Sequence, residues 1–94
     1  MARVDKNAAA SRDETQVEGR TALVQFRDES DGTVRLIHTE VPDALEGRGV
    51  GSSLAKGVLE AIRAEGKRIV PQCTFIAGYL DRHPEYQDLV APRS

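Results

Sequence analysis

The residues whose types and spacing best suit chemistry lie in a glycine-rich stretch that ends at Gly51. It contains glycines at three alternate positions, Gly47, Gly49 and Gly51. Glycines with this spacing let the backbone turn sharply and bring several N–H groups to one concave spot. A helix that begins near Ser52 would add its own unpaired N–H groups and the positive end of its dipole. The stretch therefore predicts an anion site, most naturally one for phosphate or pyrophosphate.

The elements that must position this stretch are strands before it, and a helix, a strand and a second helix after it. An Asp31-Gly32 pair favours a tight hairpin turn between two of the strands, because glycine supplies the positive φ that such turns require. Helical spacing of apolar residues predicts the helix after the glycines, with Ser52 or Ser53 as its cap. The predicted strands are residues 12–17, 21–28, 33–41 and 67–72, and the predicted helices are residues 52–65 and 74–81.

The order of these elements places the glycine-rich turn at an edge where sheets bind ligands. A strand, a crossover helix and a further strand make a right-handed parallel unit, and its turn lies at the carboxyl ends of the strands. The predicted fold class is α/β (α+β), with mostly antiparallel N-terminal strands followed by a β-α-β unit and a C-terminal helix. We expect residues 1–11 to form a flexible tail and residues 12–94 to form a single domain.

Composition argues against several classes of function. The formal net charge of −2 at pH 7 disfavours a nucleic-acid partner, because phosphate backbones select basic protein faces. No apolar run approaches the roughly 20 residues that span a bilayer, so no membrane partner is expected. The pattern of residues predicts no metal site. Cys73 is the single cysteine, which excludes an internal disulfide and favours a reducing, cytoplasmic location.

Three stretches of the chain, in the expected order, resemble the GNAT superfamily of N-acetyltransferases, and in particular its compact single-domain branch. They are residues 38–42 (His-Thr-Glu-Val-Pro), the glycine loop, and the stretch from Pro71 through Cys73, Phe75 and Tyr79 to Tyr86. Together they lie within residues 37–89, more than half of the chain. The resemblance implies a small GNAT-like domain with N-acetyltransferase activity.

The resemblance also implies that acetyl-coenzyme A is the cofactor and that the glycine loop holds its pyrophosphate. The loop pattern of the superfamily, Gln/Arg-x-x-Gly-x-Gly/Ala, maps onto Glu46, Gly49 and Gly51, and Glu46 departs from it. The N–H groups of residues 48–53 would hold the pyrophosphate, the Arg48 side chain would contact a phosphate, and the pantetheine arm would enter the gap between the strands at residues 33–41 and 67–72. The implied cofactor-binding residues are Thr39, Glu40, Val41, Gly47, Arg48, Gly49, Val50, Gly51, Ser52 and Ser53.

The implied reaction is acetyl transfer to an amine of an unknown acceptor, either a small amine or a protein. The amine must lose a proton before it attacks, and His38 and Glu40, on the same side of their strand, are the nearest candidate bases. A packed histidine and a solvated carboxylate are the alternatives for these two residues. Cys73 is either an acetyl acceptor, at the expected start of a helix, or a small buried hydrophobe. Tyr79 either protonates the departing thiolate or covers the core.

Two alternatives to an enzyme stay open from the sequence. The first is a binding module for coenzyme A or acyl-coenzyme A, because the chain has no room for the N-terminal helices with which larger members build the acceptor pocket. The second is a structural or interaction protein, which would bind no coenzyme A. Edge strands on so small a sheet could pair between chains, so a monomer and a homodimer are both compatible with the sequence.

Overall fold

Residues 4–92, the part of the chain that the computed structural model describes, form one five-stranded sheet and two α-helices. The strands are β1 (Asp5–Asn7), β2 (Arg12–Val17), β3 (Arg20–Asp28), β4 (Thr33–Glu40) and β5 (Arg68–Pro71). The helices are α1 (Val50–Ala64) and α2 (Thr74–Arg82), and short 3-10 helices cover Ala8–Ala10, Asp43–Leu45 and Pro84–Leu89. Within residues 4–92, neither α-helix is long and apolar enough to cross a membrane.

The strands lie in the order β1-β2-β3-β4-β5 across the sheet. The first three pairings are antiparallel, and β4 pairs with β5 in parallel across the connection that contains α1. The mixed α/β class is therefore confirmed, with antiparallel strands first, a β-α-β unit next and α2 after it. The predicted hairpin turn at Asp31-Gly32 is also confirmed, and Gly32 has a φ of 85°.

The hydrophobic core lies between the sheet and the two helices. The buried residues of α1 are Val50, Leu54, Ala55, Val58, Leu59 and Ile62, and those of α2 are Ile76, Tyr79 and Leu80. The sheet contributes Leu36 and Ile69, both fully buried, from the neighbouring strands β4 and β5. Because a short helix is marginal alone, burial of this apolar face is what fixes α1 against the sheet.

The expectation of a flexible tail over residues 1–11 is wrong for the part that the structure describes. Residues Asp5–Asn7 pair with β2, and the Asn7 side chain accepts a hydrogen bond from the Ala10 N–H at 3.1 Å. Val4 lies so close to α1 that a Cβ placed on Gly57 would approach its Cγ2 atom to 2.4 Å. The apolar contact of Val4 and the pairing of β1 thus order this segment, a contribution that its sequence period does not reveal. Residues 1–3 lie outside the described residues.

Candidate functional site

A cleft of about 710 Å³ opens beyond the C-terminal end of β4, between the glycine loop and the first turn of α2. Its volume lies in the range of pockets that bind small molecules and cofactors. The residues that line it are Thr21, His38, Thr39, Glu40, Val41, Pro42, Leu45, Glu46, Gly47, Gly49, Val50, Gly51, Ser52 and Phe75. The cleft therefore brings together eight of the ten residues predicted to bind a cofactor.

The cleft exists because β4 is longer than its parallel neighbour. β5 pairs with β4 only from Thr33 to Leu36, and then ends at Pro71. The chain then turns away, and the Cys73 N–H donates to the Leu36 carbonyl oxygen at 2.8 Å. Residues 38–40 of β4 keep β3 as a neighbour on one side, and an irregularity in the register with β3 falls just before them. The other side of this half of β4 faces the gap that the family resemblance implies between these two strands.

Each glycine of the loop meets a different structural requirement. Gly47 and Gly49 have φ values of 77° and 74°, a left-handed conformation that costs a side chain roughly 1–2 kcal/mol. Gly51 is helical, but a Cβ at this position would lie 2.8 Å from the ring of Phe75. Two glycines thus shape the turn, and the third lets an aromatic side chain of α2 approach the start of α1.

Six consecutive backbone N–H groups, those of residues 47–52 (hereafter the open amides), make no hydrogen bond of ordinary geometry within residues 4–92. The neighbouring N–H groups are bonded: that of Glu46 to the Asp43 carbonyl at 3.2 Å, and that of Ser53 to the Gly49 carbonyl at 3.0 Å. Five of the six open amides belong to residues that line the cleft. This concave row of donors at the positive end of a helix is suited to an anion such as pyrophosphate.

Two details of the predicted loop are corrected by this geometry. α1 begins at Val50 with Gly49 as its N-cap, two residues before the predicted start, and no side chain caps it. Ser52 therefore lies in the first turn, and the N–H of Ser53 is used by the helix itself. Ser53 does not line the cleft, so its expected contact with a phosphate is not available to its backbone.

The Arg48 side chain is also placed differently from the expectation. It donates to a carboxylate oxygen of Glu18, in the turn between β2 and β3, and it does not line the cleft. This ion pair lowers the pKa of Glu18 and raises the pKa of Arg48. The ionisable side chains that do line the cleft are His38, Glu40 and Glu46. With no lysine or arginine along this lining, backbone N–H groups are its main means of holding an anion.

His38 and Glu40 stand side by side at the rim of the cleft. His38 Nε2 lies 3.5 Å from Glu40 Oε2, which agrees with their predicted placement on the same side of β4. Their side chains are 54% and 59% exposed, so both can exchange protons with solvent and with a molecule in the cleft. A histidine next to a carboxylate can accept a proton, and the carboxylate then stabilises the positive charge of the imidazolium.

Cys73 lies behind the wall of the cleft. It is the N-cap residue of α2 and is 6% exposed, and it is not among the residues that line the cleft. Its Sγ atom is 3.2 Å from the hydroxyl of Thr39, which does line the cleft. The thiol thus contacts a residue of the cleft lining, and the Thr39 side chain lies between Cys73 and the space where a ligand would bind.

Tyr79 lies away from the cleft lining, which leaves its expected contact with a departing thiolate without support. Its ring is 3% exposed and stacks on His83 at 4.0 Å, with Tyr86 at 6.2 Å on a tilted plane. Burial raises the pKa of Tyr79 above its ordinary value. The hydroxyl of Tyr86 donates to Glu60, and this hydrogen bond with burial raises the pKa of Tyr86 to about 12. These rings tie the C-terminal segment to the helices.

The sequence missed four residues that line the cleft: Thr21, Pro42, Leu45 and Phe75. Leu45 is 1% exposed and anchors the 3-10 helix that leads into the glycine loop. Phe75 is 36% exposed and forms a wall of the cleft. A signal was available for Phe75, because Ile76, Tyr79 and Leu80 already complete one helical face without it. Among the described residues, no group of three or more His, Cys, Asp or Glu could hold a metal ion.

Comparisons with known proteins match the sequence and the fold of this chain to one family. Residues 12–89 match the family model described as GCN5-related N-acetyl-transferase. The chain is 37% identical to Protein NATD1 of Xenopus tropicalis over 62 residues, or 64% of this chain and 57% of the relative. It is 38% identical to human Protein NATD1 over 61 residues, or 63% of this chain and 54% of the relative. The chain thus spans little more than half the length of these relatives.

A solved structure also matches the fold. The NMR solution structure of a GCN5-like protein from Staphylococcus aureus superposes with a TM-score of 0.72 and 26% sequence identity. The alignment covers 98% of this chain and 90% of the other. The likeness extends over β1 and the N-terminal half of the sheet as well as over the glycine loop.

Proposed function

The chain belongs to the GCN5-related N-acetyltransferase family, and on that basis we propose that it binds acetyl-coenzyme A and transfers the acetyl group to an amine. The observation that carries this proposal is the row of open amides in the cleft. Backbone N–H groups at the start of a helix hold pyrophosphate well, because they point at the anion and carry partial positive charge. In this function, coenzyme A supplies an activated acetyl thioester.

The residues around the cleft fit an elongated cofactor. The open amides would hold the pyrophosphate beside Glu46, where the family prefers Gln or Arg. The pantetheine arm would follow residues 39–41, where β4 lacks its parallel neighbour. A backbone N–H of this half-strand would donate to the thioester carbonyl and stabilise the charge that develops there. Thr39, Glu40 and Val41 would therefore contact the cofactor mainly through their backbone.

His38 is the residue that we propose as the general base. An amine is protonated at neutral pH and must lose a proton to become a nucleophile. His38 lines the cleft, and the carboxylate of Glu40 beside it would stabilise the imidazolium after proton transfer. His38→Ala should lower the rate of acetyl transfer about 100-fold, which is the usual size of a general-base contribution. His38→Ala should leave coenzyme A affinity unchanged, because no phosphate contact involves this side chain.

Two routes for the acetyl group are compatible with this site. In the direct route, the amine attacks the thioester carbonyl and the thiolate of coenzyme A leaves. In the relay, the Cys73 thiolate would attack first and displace the thiolate of coenzyme A, and the amine would then attack the acetyl group on Cys73 and displace the Cys73 thiolate. The burial of Cys73 behind Thr39 favours the direct route. Cys73→Ala decides between them, because unchanged turnover excludes the relay without affecting the cofactor site.

A binding module for coenzyme A or acyl-coenzyme A is the second candidate function. It is favoured by the position of the predicted catalytic residues: of Cys73, His38 and Tyr79, only His38 lines the cleft. A module would hold the cofactor on the open amides without turnover. Binding of the cofactor without turnover would raise the Tm of the chain, and the rise would increase with cofactor concentration, as for any ligand of the folded state.

Turnover separates the two candidate functions. The purified chain is incubated with acetyl-coenzyme A and a panel of small amines, polyamines and lysine peptides, and the release of free thiol is followed. An enzyme releases thiol and acetylates at least one acceptor above the rate without protein, and His38→Ala loses most of that rate. Binding without turnover on any acceptor supports the module.

A cytoplasmic location and a monomer or homodimer remain predictions.

A further inference from the structure

The ion pair between Glu18 and Arg48 joins the turn between β2 and β3 to the middle of the glycine loop. The two residues are thirty positions apart in sequence, and their side chains are 57% and 49% exposed. Gly47 and Gly49, which flank Arg48, both line the cleft. A cation that is part of the loop is therefore paired with a carboxylate that does not line the cleft.

Glu18 occupies an unfavourable place in its turn. Glu18 and Gly19 form a two-residue hairpin connection, with φ values of 51° and 76°. Such turns need a positive φ at both central positions, and Asn, Asp or Gly are favoured at the first because glutamate is strained there. Among the described residues, the hydrogen-bonding partner of the Glu18 side chain is Arg48. The turn does not explain a glutamate at this position, but the contact with Arg48 does.

We propose that Glu18 competes with the phosphate groups of the cofactor for Arg48. The ion pair opens when a multiply charged phosphate ligand binds the open amides, and it closes again when the ligand leaves. This inference rests on the proposed function. Exposed ion pairs are weak, whereas phosphate accepts two charge-assisted hydrogen bonds from one guanidinium. Arg48 therefore gains by exchanging Glu18 for a phosphate group when the cofactor binds. Because the pair with Glu18 must first be broken, Glu18 lowers the affinity of the chain for the cofactor and speeds release of the cofactor.

Glu18→Gln tests this competition, with coenzyme A as the ligand and calorimetry as the measurement. The variant frees Arg48 and should bind coenzyme A about three- to fivefold more tightly than the wild-type chain, which corresponds to the strength of an exposed ion pair. The gain should shrink as salt is added, because salt screens exposed charges. Glu29→Gln is the matched control, because it removes the charge of a glutamate that pairs with Arg35 near the other hairpin turn. It should leave the affinity unchanged.

Two further variants separate competition from a general effect of charge. In an Arg48→Gln background, Glu18→Gln should give little or no gain, because the cation for which Glu18 competes is absent. Glu18→Asn should bind coenzyme A as tightly as Glu18→Gln and keep at least the wild-type Tm, because asparagine suits the turn.

The outcomes that overturn the inference are distinct from failure of the proposed function. Unchanged or weaker binding by Glu18→Gln, or an equal gain in the Arg48→Gln background, overturns the competition alone. If the wild-type chain does not bind coenzyme A, the proposed function and this inference both fall.

Discussion

The two ends of α1 differ in how their backbone groups are satisfied. At the C-terminal end the fold closes on itself: the Lys67 N–H donates to the Ile62 carbonyl at 3.2 Å, and the Gly66 N–H donates to the Arg63 carbonyl at 3.0 Å. At the N-terminal end, the open amides make no hydrogen bond of ordinary geometry within residues 4–92. Every helix start leaves its first N–H groups unpaired, and the turn at Gly47 and Gly49 adds further donors beside them, so this end presents a concave row suited to an anion.

Packing of the apolar face does not explain this difference, because that face is buried near both ends of the helix. Leu54 near the open end is 0% exposed, and Ile62 near the closed end is 5% exposed. What differs is the connection: Gly66 turns the chain back over the carbonyls, whereas Gly47 and Gly49 turn it away from the N–H groups. The comparison teaches that the same residue type can close one helix end and open the other.

Truncation of the core should affect both ends alike and by the largest amount. Leu54→Ala and Ile62→Ala should each lower the free energy of unfolding by about 3 kcal/mol, because each leaves a cavity in a packed interior. Chemical denaturation measures both values. A much smaller loss at Leu54 would break the comparison, because it would show that the open end is loosely packed as well as unpaired.

A pair of glycine substitutions sharpens the comparison most. Gly49→Ala and Gly66→Ala both place a Cβ at a positive φ, 74° and 70°, with no atom within 4 Å of it. Each should lower the free energy of unfolding by about 1 kcal/mol for this backbone strain. Gly49→Ala should also weaken coenzyme A binding about tenfold, because it reorients the open amides, a loss comparable to one or two hydrogen bonds.

Gly66→Ala serves as the control for that substitution. Titration calorimetry should give it the wild-type affinity for coenzyme A. Equal losses of affinity in the two variants would show that binding follows stability and not the geometry of the loop, and the assignment of the open amides as the anion site would then be wrong.

Asp13 provides a pH test at the closed end of the helix. Burial raises the pKa of Asp13 from 3.8 to about 6, with Glu65 and Asp28 adding to the rise and Lys6 opposing it. The folded chain thus holds this proton more tightly than the unfolded chain does. Its contribution to stability is present below pH 4 and is lost as the pH rises through 6.

Asp13→Asn removes this pH dependence. The variant should be about 1 kcal/mol more stable than the wild-type chain at pH 7, after allowance for partial exposure, and the difference should vanish near pH 4. Urea denaturation at both pH values measures it. Because Asp13 lies beside Ile62 and Glu65, far along α1 from the open amides, coenzyme A affinity should stay unchanged. If Asp13→Asn loses as much stability between pH 4 and pH 7 as the wild-type chain does, the pH dependence does not come from Asp13.

The smallest expected effect concerns the start of α1. If Ser52 were the helix cap, as its sequence position predicts, Ser52→Ala would cost about 1 kcal/mol. Since Gly49 is the N-cap and Ser52 lies in the first turn, the substitution should change the free energy of unfolding by less than about 0.5 kcal/mol. Thermal denaturation distinguishes the two values.

The sequence predicted what periodicity and turn chemistry encode. Strand β2 has the predicted bounds, and Gly66 ends α1 where a glycine should. It could not predict contacts that join distant segments. The pairing of β1 depends on Val4 meeting Gly57, and the position of Arg48 depends on Glu18, thirty residues earlier.

The lining of the cleft could be predicted as far as it is made of backbone. Eight of the residues that the resemblance implied as cofactor-binding line the cleft, and five of them belong to the glycine loop, whose alternating glycines dictate where the chain turns. The catalytic side chains were less predictable, since their positions depend on how α2 packs. Tyr79 turned toward His83 and away from the cleft, and Phe75 took a place on its wall.

The most direct test is a titration of the isotope-labelled chain with coenzyme A, followed by NMR of its backbone amides. The account predicts that the resonances of residues 47–52 shift most and saturate together, while those of Gly66 and Lys67 at the other end of α1 stay in place. If coenzyme A in excess leaves the resonances of residues 47–52 unmoved, the open amides are not its binding site.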